Sequence, residues 1–114
     1  MKKLYLDDIR IPKTEGWDIV RNYDEFTAWI KLNGLPDVIS FDHDLADIHY
    51  DPSTWTQSFT YLEKTGLDCA KWLVWYCIDN KLKLPTYFCH SANPVGKENI
   101  LKLLRNYEKT YSLD

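Results

Sequence analysis

The chain has 114 residues, which gives room for one hydrophobic core, so residues 1–114 are expected to form a single domain. A hydrophobic fraction of 45% and an aromatic fraction of 15% favour a folded protein over a disordered one. The formal net charge of -3 argues against a binder of duplex nucleic acid, because affinity for the phosphate backbone requires a basic face.

Neither secretion nor membrane insertion is indicated. The first residues, MKKLYLDD, enter a strand-like pattern directly, without the apolar segment and cleavage site of a signal peptide. No apolar run approaches membrane-spanning length. Cys69, Cys77 and Cys89 are an odd set without C-x-x-C spacing, so neither disulfides nor a cysteine-based zinc site are expected. These features predict a cytoplasmic protein.

The first third of the chain predicts two short strands and a helix. Residues 3–6 are strand formers that end at Asp7 and Asp8, and residues 17–23 form a second candidate strand. A helix is expected from about residue 24 to residue 34, because the apolar residues recur at helical spacing and a glycine follows them.

The rest of the chain predicts two strands and two helices. DVISFDHDL is a continuous apolar run, which is typical of a strand covered on both faces by helices. Residues 46–64 show no clear period and are expected to form a long surface loop. Thr65 begins the clearest helix, with Asp68 as its capping partner. TYFCHSAN is a fourth strand, and Asn93-Pro94 begins the last helix. Helical crossovers of this kind connect parallel neighbours in a layered α/β sheet.

Polar side chains follow three of the four predicted strands. They are Asp7 and Asp8 after the first, Asp42, His43 and Asp44 after the third, and His90, Ser91 and Asn93 after the fourth. The carboxyl ends of parallel strands meet at one edge of a sheet, so these groups are expected to converge. One acidic pair alone is more often a helix cap or a solvated loop, whereas the coincidence of three strand ends favours a functional site.

Grouped carboxylates are the usual ligands of hard divalent cations, and nearby imidazoles widen the choice of metal. Mg²⁺ or Mn²⁺ is expected, with Asp7, Asp8, Asp42 and Asp44 as the candidate ligands. On a strand, Asp42 and Asp44 point to one face and His43 to the other. At most two of these three residues are therefore expected to reach one ion, and Asp42 is favoured.

The segment from Ser91 to Gly96 enters the last helix, where free N–H groups and the helix dipole favour an anion. Ser91, Asn93 and Gly96 are therefore candidate phosphate-binding residues, and Arg10 offers a bidentate contact. Structural roles are also open, because Asn93 can cap the helix and Arg10 can neutralise a neighbouring carboxylate. Lys97 is expected to be solvated.

Four segments resemble, in order, the motifs of the cyclic-phosphate processing receiver domain family, a group of small receiver-like proteins from bacteria and their phages. They are LYLDDIRIP, VISFDHDL, TGLDCAKWLVWYC and CHSANPVGKENI, and the resemblance covers nearly the whole chain except residues 46–64. It implies a small receiver-like (flavodoxin-like) α/β fold, a three-layer sandwich with a mainly parallel sheet of about four strands.

The resemblance also assigns positions. It implies that Asp7 and Asp8 match the acidic metal pair of receivers, Asp42 their phosphoacceptor and Ser91 their hydroxyl residue. Two departures argue against phosphorelay signalling through Asp42. No fifth strand with the lysine of receivers is found, and two histidines, His43 and His90, are added.

The leading hypothesis is a metal-dependent phosphoesterase that acts on a small phosphorylated substrate, such as a cyclic nucleotide, or on a cyclic-phosphate end. His90 is predicted to be the general acid or base, and His43 either ligates the metal or protonates the leaving oxygen. Trp55 is a candidate for stacking on a base, and His49 is expected to be an ordinary surface residue.

Two other functions are compatible with the same residues. One is a non-catalytic module that binds a phosphorylated nucleotide or a partner protein. The other is a response-regulator receiver phosphorylated on Asp42. A homodimer is also considered, because Trp72, Trp75 and Tyr76 wrap around their helix more than one buried stripe requires.

Overall fold

A computed structural model of the protein describes residues 1–45 and 64–110, which contain four strands and three helices. The strands are β1 (Lys3–Leu6), β2 (Trp17–Val20), β3 (Val38–Phe41) and β4 (Thr86–Cys89), and the helices are α1 (Tyr23–Asn33), α2 (Gly66–Asn80) and α3 (Pro94–Thr110). All neighbouring strands pair in parallel, in the order β2-β1-β3-β4. The predicted α/β class, the four-stranded parallel sheet and the order of elements are confirmed. None of the described helices is long and apolar enough to cross a membrane.

Side-chain caps fix the starts of the first two helices. The Asn22 Oδ1 atom accepts a hydrogen bond from the Glu25 N–H at 2.8 Å, and Thr65 and Asp68 form a complete capping box at the start of α2. At α1 the Glu25 carboxylate accepts from the N–H of Arg21 at 2.8 Å, one residue before the cap. The capping interaction therefore also fixes the end of β2.

The helices all cover one face of the sheet. The ring of Phe26 in α1 packs on Phe41 of β3 at 5.9 Å, and the Tyr87 hydroxyl of β4 donates to Glu108 of α3 at 2.7 Å. Phe41 and Tyr87 belong to the same face, because strand register places Phe41 beside Cys89 and side chains alternate along each strand. Helix α2 lies between the other two, with Trp72 against Phe26.

The described residues therefore form two layers, whereas the sequence predicted a helical layer on each face. The reason is that β1 and β2 are connected by residues 7–16 without a helix. The two remaining crossovers both advance in the same direction across the sheet, and right-handed connections then place their helices on one side. We call the opposite side the open face; it carries Lys3, Tyr5, Trp17, Ser40 and Phe88.

The aromatic residues of α2 divide between the core and the surface. Trp72 is partly buried against Phe26 and stacks on Tyr76 with ring centroids 5.2 Å apart. Trp75 is 70% exposed. Only Trp75 is thus a strongly exposed ring of this group, and the homodimer stays a prediction.

Gly66 allows α2 to begin directly against the end of β3. A Cβ atom at this position would overlap the backbone carbonyl of Asp42. The Gly66 N–H donates to the carbonyl of His43 at 2.7 Å, which fixes the helix start to the same segment. A side chain at residue 66 would therefore displace the strand end that carries Asp42.

We expect Gly66→Ala to lower the free energy of unfolding by at least about 1 kcal/mol, because the new methyl group meets backbone that cannot rotate away. Urea unfolding followed by circular dichroism measures this change. Gly96→Ala is the comparison, since the nearest atoms to its Cβ belong to the imidazole of His43, a side chain that can shift, whereas at Gly66 they belong to the backbone. A Gly66→Ala protein at least as stable as Gly96→Ala would contradict the expected overlap.

Candidate functional site

The sheet continues for one residue beyond three of its strands, and those residues carry the site. The N–H of Asp7 donates to Val20 at 3.1 Å, that of Asp42 to Leu6 at 2.9 Å, and that of His90 to Phe41 at 2.9 Å. By strand alternation, the side chains of Asp7, Asp42 and His90 continue the rows of the open face. The predicted convergence of the strand ends is therefore present.

Asp7 is a buried carboxylate with many donors around it. Its side chain is 1% exposed, and one oxygen accepts from the N–H groups of Ile9 at 2.9 Å and Arg10 at 2.8 Å. The other oxygen accepts from His90 Nε2 at 2.9 Å. Burial opposes ionisation, but these hydrogen bonds outweigh it and hold the pKa of Asp7 below its ordinary value.

Asp42 lies in a less favourable environment for a negative charge. It is 5% exposed, and burial together with the nearby charge of Asp7 raises the pKa of its carboxyl group. His90, when protonated, and hydrogen bonds from Ser91 and the His43 N–H oppose this rise without cancelling it. The two carboxyl groups therefore have pKa values that are shifted in opposite directions.

Asp7, Asp8 and Asp42 each place a carboxylate oxygen within 4.8 Å of the other two. This spacing is close enough for one ion to contact all three. The donor set consists of hard oxygens, which suits Mg²⁺ or Mn²⁺. A divalent cation also fits the electrostatics, because it would offset the repulsion that raises the pKa of Asp42.

His90 links the group of Asp7, Asp8 and Asp42, which we call the acidic cluster, to the open face. Its Nε2 atom is 2.9 Å from Asp7, its Nδ1 atom is 2.7 Å from the Ser40 hydroxyl, and its ring stacks on Tyr5 at 4.3 Å. An ionised carboxylate can only accept, so the neutral imidazole carries its proton on Nε2 and accepts from Ser40 at Nδ1. Both nitrogens of His90 are thus engaged, and the ring orientation is fixed.

Two arginines hold the loop that follows β1. Arg10 donates to the carbonyl of His90 at 3.2 Å, and its Nε atom lies 3.9 Å from the Asp7 carboxylate. Arg21 donates to the carbonyls of Asp7 at 3.1 Å and Arg10 at 2.8 Å. Arg10 is half-exposed beside the acidic cluster, where a phosphate could reach it, while Arg21 fixes the backbone beneath.

His43 and Asp44 form a separate pair beside the cluster. His43 Nδ1 is 2.8 Å from the Asp44 carboxylate, and the imidazole packs against Gly96 at the start of α3. Asp44 is also 3.4 Å from the side-chain nitrogen of Asn93. Asp44, predicted as a metal ligand, thus lies outside the group formed by Asp7, Asp8 and Asp42.

The start of α3 is capped by its own side chains. Asn93 Oδ1 accepts from the Gly96 N–H at 3.0 Å, and the Ser91 hydroxyl accepts from the Asn93 N–H at 3.1 Å. These bonds occupy groups that the sequence offered for phosphate binding. Gly96 serves in the structure to let His43 approach the helix. Ser91 is directed to the cluster through its hydrogen bond to Asp42.

Four residues of the site were missed by sequence reasoning: Tyr5, Arg21, Ser40 and Gly66. Strand alternation could have placed Tyr5 and Ser40 in the rows that end at Asp7 and Asp42. The contacts of Arg21 and Gly66 are made by backbone groups distant in sequence, for which the sequence contains no signal. His49 and Trp55 lie outside the described residues.

The parallel sheet with three aspartates at its carboxyl edge defines a receiver-like domain. The family model of the cyclic-phosphate processing receiver domain matches residues 2–106. The chain therefore belongs to the cyclic-phosphate processing receiver domain family, and Asp7, Asp8 and Asp42 form its receiver-type acidic triad. No curated protein and no solved structure matches the chain.

We expect Asp42→Asn to be more stable than the wild-type protein at pH 7 when divalent cations are chelated. The raised pKa means that folding binds a proton at Asp42, so its contribution to stability falls as pH rises from the ordinary aspartate pKa through the raised one. The neutral amide removes this loss. Thermal unfolding at pH 7 and at pH 3 tests the effect, which should vanish at the lower pH. Equal stability of Asp42→Asn and the wild-type protein at pH 7 would contradict the expected effect. Asp79→Asn, on the exposed surface of α2, is the control.

Arg21→Ala should lower the free energy of unfolding by about 1–3 kcal/mol, since it leaves the carbonyls of Asp7 and Arg10 without their charged donor. Arg105→Ala is the control, because its pair with Glu98 is solvent-exposed and should contribute less than about 1 kcal/mol. Urea unfolding of both variants measures the difference. Equal losses would show that Arg21 does not hold the loop.

Proposed function

We propose that the protein is a metal-dependent phosphoesterase that acts on cyclic phosphates. The observation that carries this proposal is the grouping of Asp7, Asp8 and Asp42 within 4.8 Å, with the guanidinium of Arg10 beside it. Three carboxylates suit a divalent cation, and an arginine suits a phosphate. The family name adds that cyclic phosphates are the class of compound processed.

The residues divide the work between them. Asp7, Asp8 and Asp42 would hold Mg²⁺ or Mn²⁺, which supplies a Lewis acid for phosphoryl oxygens and lowers the pKa of bound water. Arg10 binds a phosphate oxygen with the exposed part of its guanidinium, beside the Asp7 carboxylate. Ser91 orients Asp42 through its hydroxyl.

His90 is the candidate proton donor in this proposal. Its Nε2 atom is hydrogen-bonded to Asp7, a member of the acidic cluster. The stacked Tyr5 ring and the Ser40 hydroxyl fix the orientation of the imidazole. Donation to the leaving oxygen would take place from the imidazolium form, after the ring turns from Asp7 toward the substrate, and would leave a neutral imidazole behind. His43, held by Asp44 and facing the start of α3, is the second imidazole that could perform this step.

One observation favours a second function, a module that binds a cyclic phosphate without hydrolysing it. Both nitrogens of His90 are already hydrogen-bonded within the protein. If the ring does not turn, it only positions Asp7 and exchanges no proton with the ligand. Under this alternative the acidic cluster, with a bound ion, and Arg10 would bind the cyclic phosphate without contributing to its hydrolysis.

Turnover of 2′,3′- and 3′,5′-cyclic nucleotides with Mn²⁺ or Mg²⁺ tests the proposal. We expect hydrolysis that Asp42→Asn and Asp7→Asn abolish, that His90→Ala reduces by about 100-fold, and that Asp79→Asn leaves unchanged. Calorimetry of each variant with the metal alone should show the loss of affinity in the same two aspartate variants.

The other outcomes separate the alternatives. Tight binding of a cyclic nucleotide that is recovered intact would support the binding module. Covalent labelling of Asp42 by a small phosphodonor would support a phosphorylated receiver. Absence of both metal binding and turnover would overturn the proposed phosphoesterase.

A further inference from the structure

A cavity of about 540 Å³ lies on the open face, next to the acidic cluster. Its floor contains two aromatic rings, and its wall is formed by the loop between β1 and β2. The lining residues are Tyr5, Arg10, Ile11, Pro12, Lys13, Thr14, Trp17 and His90. The absence of a helix between β1 and β2 gives the loop its position over the sheet.

The rings of the floor are held at a fixed angle. Tyr5 and Trp17 meet edge to face, with centroids 5.7 Å apart and an interplanar angle of 72°. The indole N–H of Trp17 donates to the Thr14 hydroxyl at 2.9 Å, which ties the floor to the wall. The Lys3 Nζ atom lies over the Trp17 ring, 5.0 Å from its centroid. A planar ligand that stacks on that face of the indole therefore displaces only the end of a flexible side chain, while the rings themselves keep their positions.

The charge of the lining is one-sided. Arg10 and Lys13 are cationic, and none of the residues that line the cavity is a carboxylate. Aromatic rings combined with cations favour a planar, electron-rich ring that is attached to an anion. The volume lies within the range of about 300–1,000 Å³ that is usual for sites of small organic ligands.

Two residues that line the cavity also contact Asp7 of the acidic cluster. Arg10 lines the cavity, and its Nε atom is 3.9 Å from the Asp7 carboxylate. His90 lines the cavity with its ring and contacts Asp7 through Nε2 at 2.9 Å. A ligand with its phosphate at the cluster therefore has the cavity open beside it.

We propose that this cavity binds the nucleobase of an unpaired nucleotide whose phosphate lies at Arg10, beside the acidic cluster. The inference rests on the proposed function and names its substrate class: a nucleoside cyclic phosphate, either free or at the end of a single strand. The base stacks on the Trp17 side of the floor, and Lys13 and Arg10 face its anionic end. A paired base could not enter, because the site requires access to the ring face.

Binding is tested with a nucleoside 2′,3′-cyclic monophosphate and with glycerol 1,2-cyclic phosphate, which has no base. In ¹⁵N-labelled protein with Mg²⁺, the indole N–H signal of Trp17, assigned with Trp17→Phe, should shift with the nucleotide only. Trp17→Leu should weaken binding of the nucleotide by about tenfold, with little effect on the base-free compound. Lys13→Glu, at an exposed loop position, should weaken nucleotide binding and leave the free energy of unfolding unchanged.

Trp75→Leu is the matched control, since Trp75 is an exposed ring on α2, beyond the helical layer and away from the open face. Its nucleotide affinity should equal that of the wild-type protein. An oligonucleotide ending in the same cyclic phosphate distinguishes a free nucleotide from the end of a single strand as the ligand. A Trp17 shift with the oligonucleotide identifies a strand end, and a shift with the free compound alone identifies a mononucleotide; both support the proposal.

Failure of this proposal is distinguishable from failure of the proposed function. Equal affinity for the nucleotide and for glycerol 1,2-cyclic phosphate, with no Trp17 shift, would overturn the base site while the cyclic-phosphate site stands. A Trp17 shift with a nucleotide that is never hydrolysed would support the base site and count against the phosphoesterase.

Discussion

The parallel register of β1 and β3 is the constraint on which the site depends. Each strand is extended by one hydrogen-bonded residue, and this places Asp7 and Asp42 side by side on the same face. Two buried carboxyl groups at this spacing repel each other when both are ionised, and the surrounding groups stabilise the charge on one of them more than on the other. Asp7 receives backbone and imidazole donors, whereas Asp42 keeps a raised pKa. An arrangement that disfavours the folded protein without a cation is typical of a site maintained for function.

His90 makes the acidic cluster and the open face parts of one structure. The ring is in contact with a carboxylate on one side, a buried serine on another and the ring of Tyr5 along its face. Such a histidine can orient a metal ligand in the way that outer-shell partners do in metalloproteins. The same contacts give the aromatic floor of the cavity a fixed position relative to the aspartates. A ligand bound on the aromatic floor would therefore be held at a fixed distance from the aspartates.

The sequence was most informative where local patterns determine the structure. Helical periodicity and caps located the helices, and the apolar run before Asp42 located the central strand. The strand-end acids were found because parallel sheets bring those ends together. The second helical layer was predicted from the apolar run of β3. In the described residues no helix covers that face, and the buried hydroxyl of Ser40 is hydrogen-bonded to His90 there. Contacts of this kind join residues 50 positions apart, and no local pattern contains them.

The connection between β1 and β2 combines tasks that proteins often distribute over several loops. It supplies the donors to Asp7, the guanidinium beside the cluster and the wall of the cavity, yet none of its residues from Ile9 to Gly16 belongs to the buried core. Its length and composition can thus change without repacking the helices. A change of lining in this architecture can then be confined to one short surface segment, while the three aspartates and the sheet stay as they are.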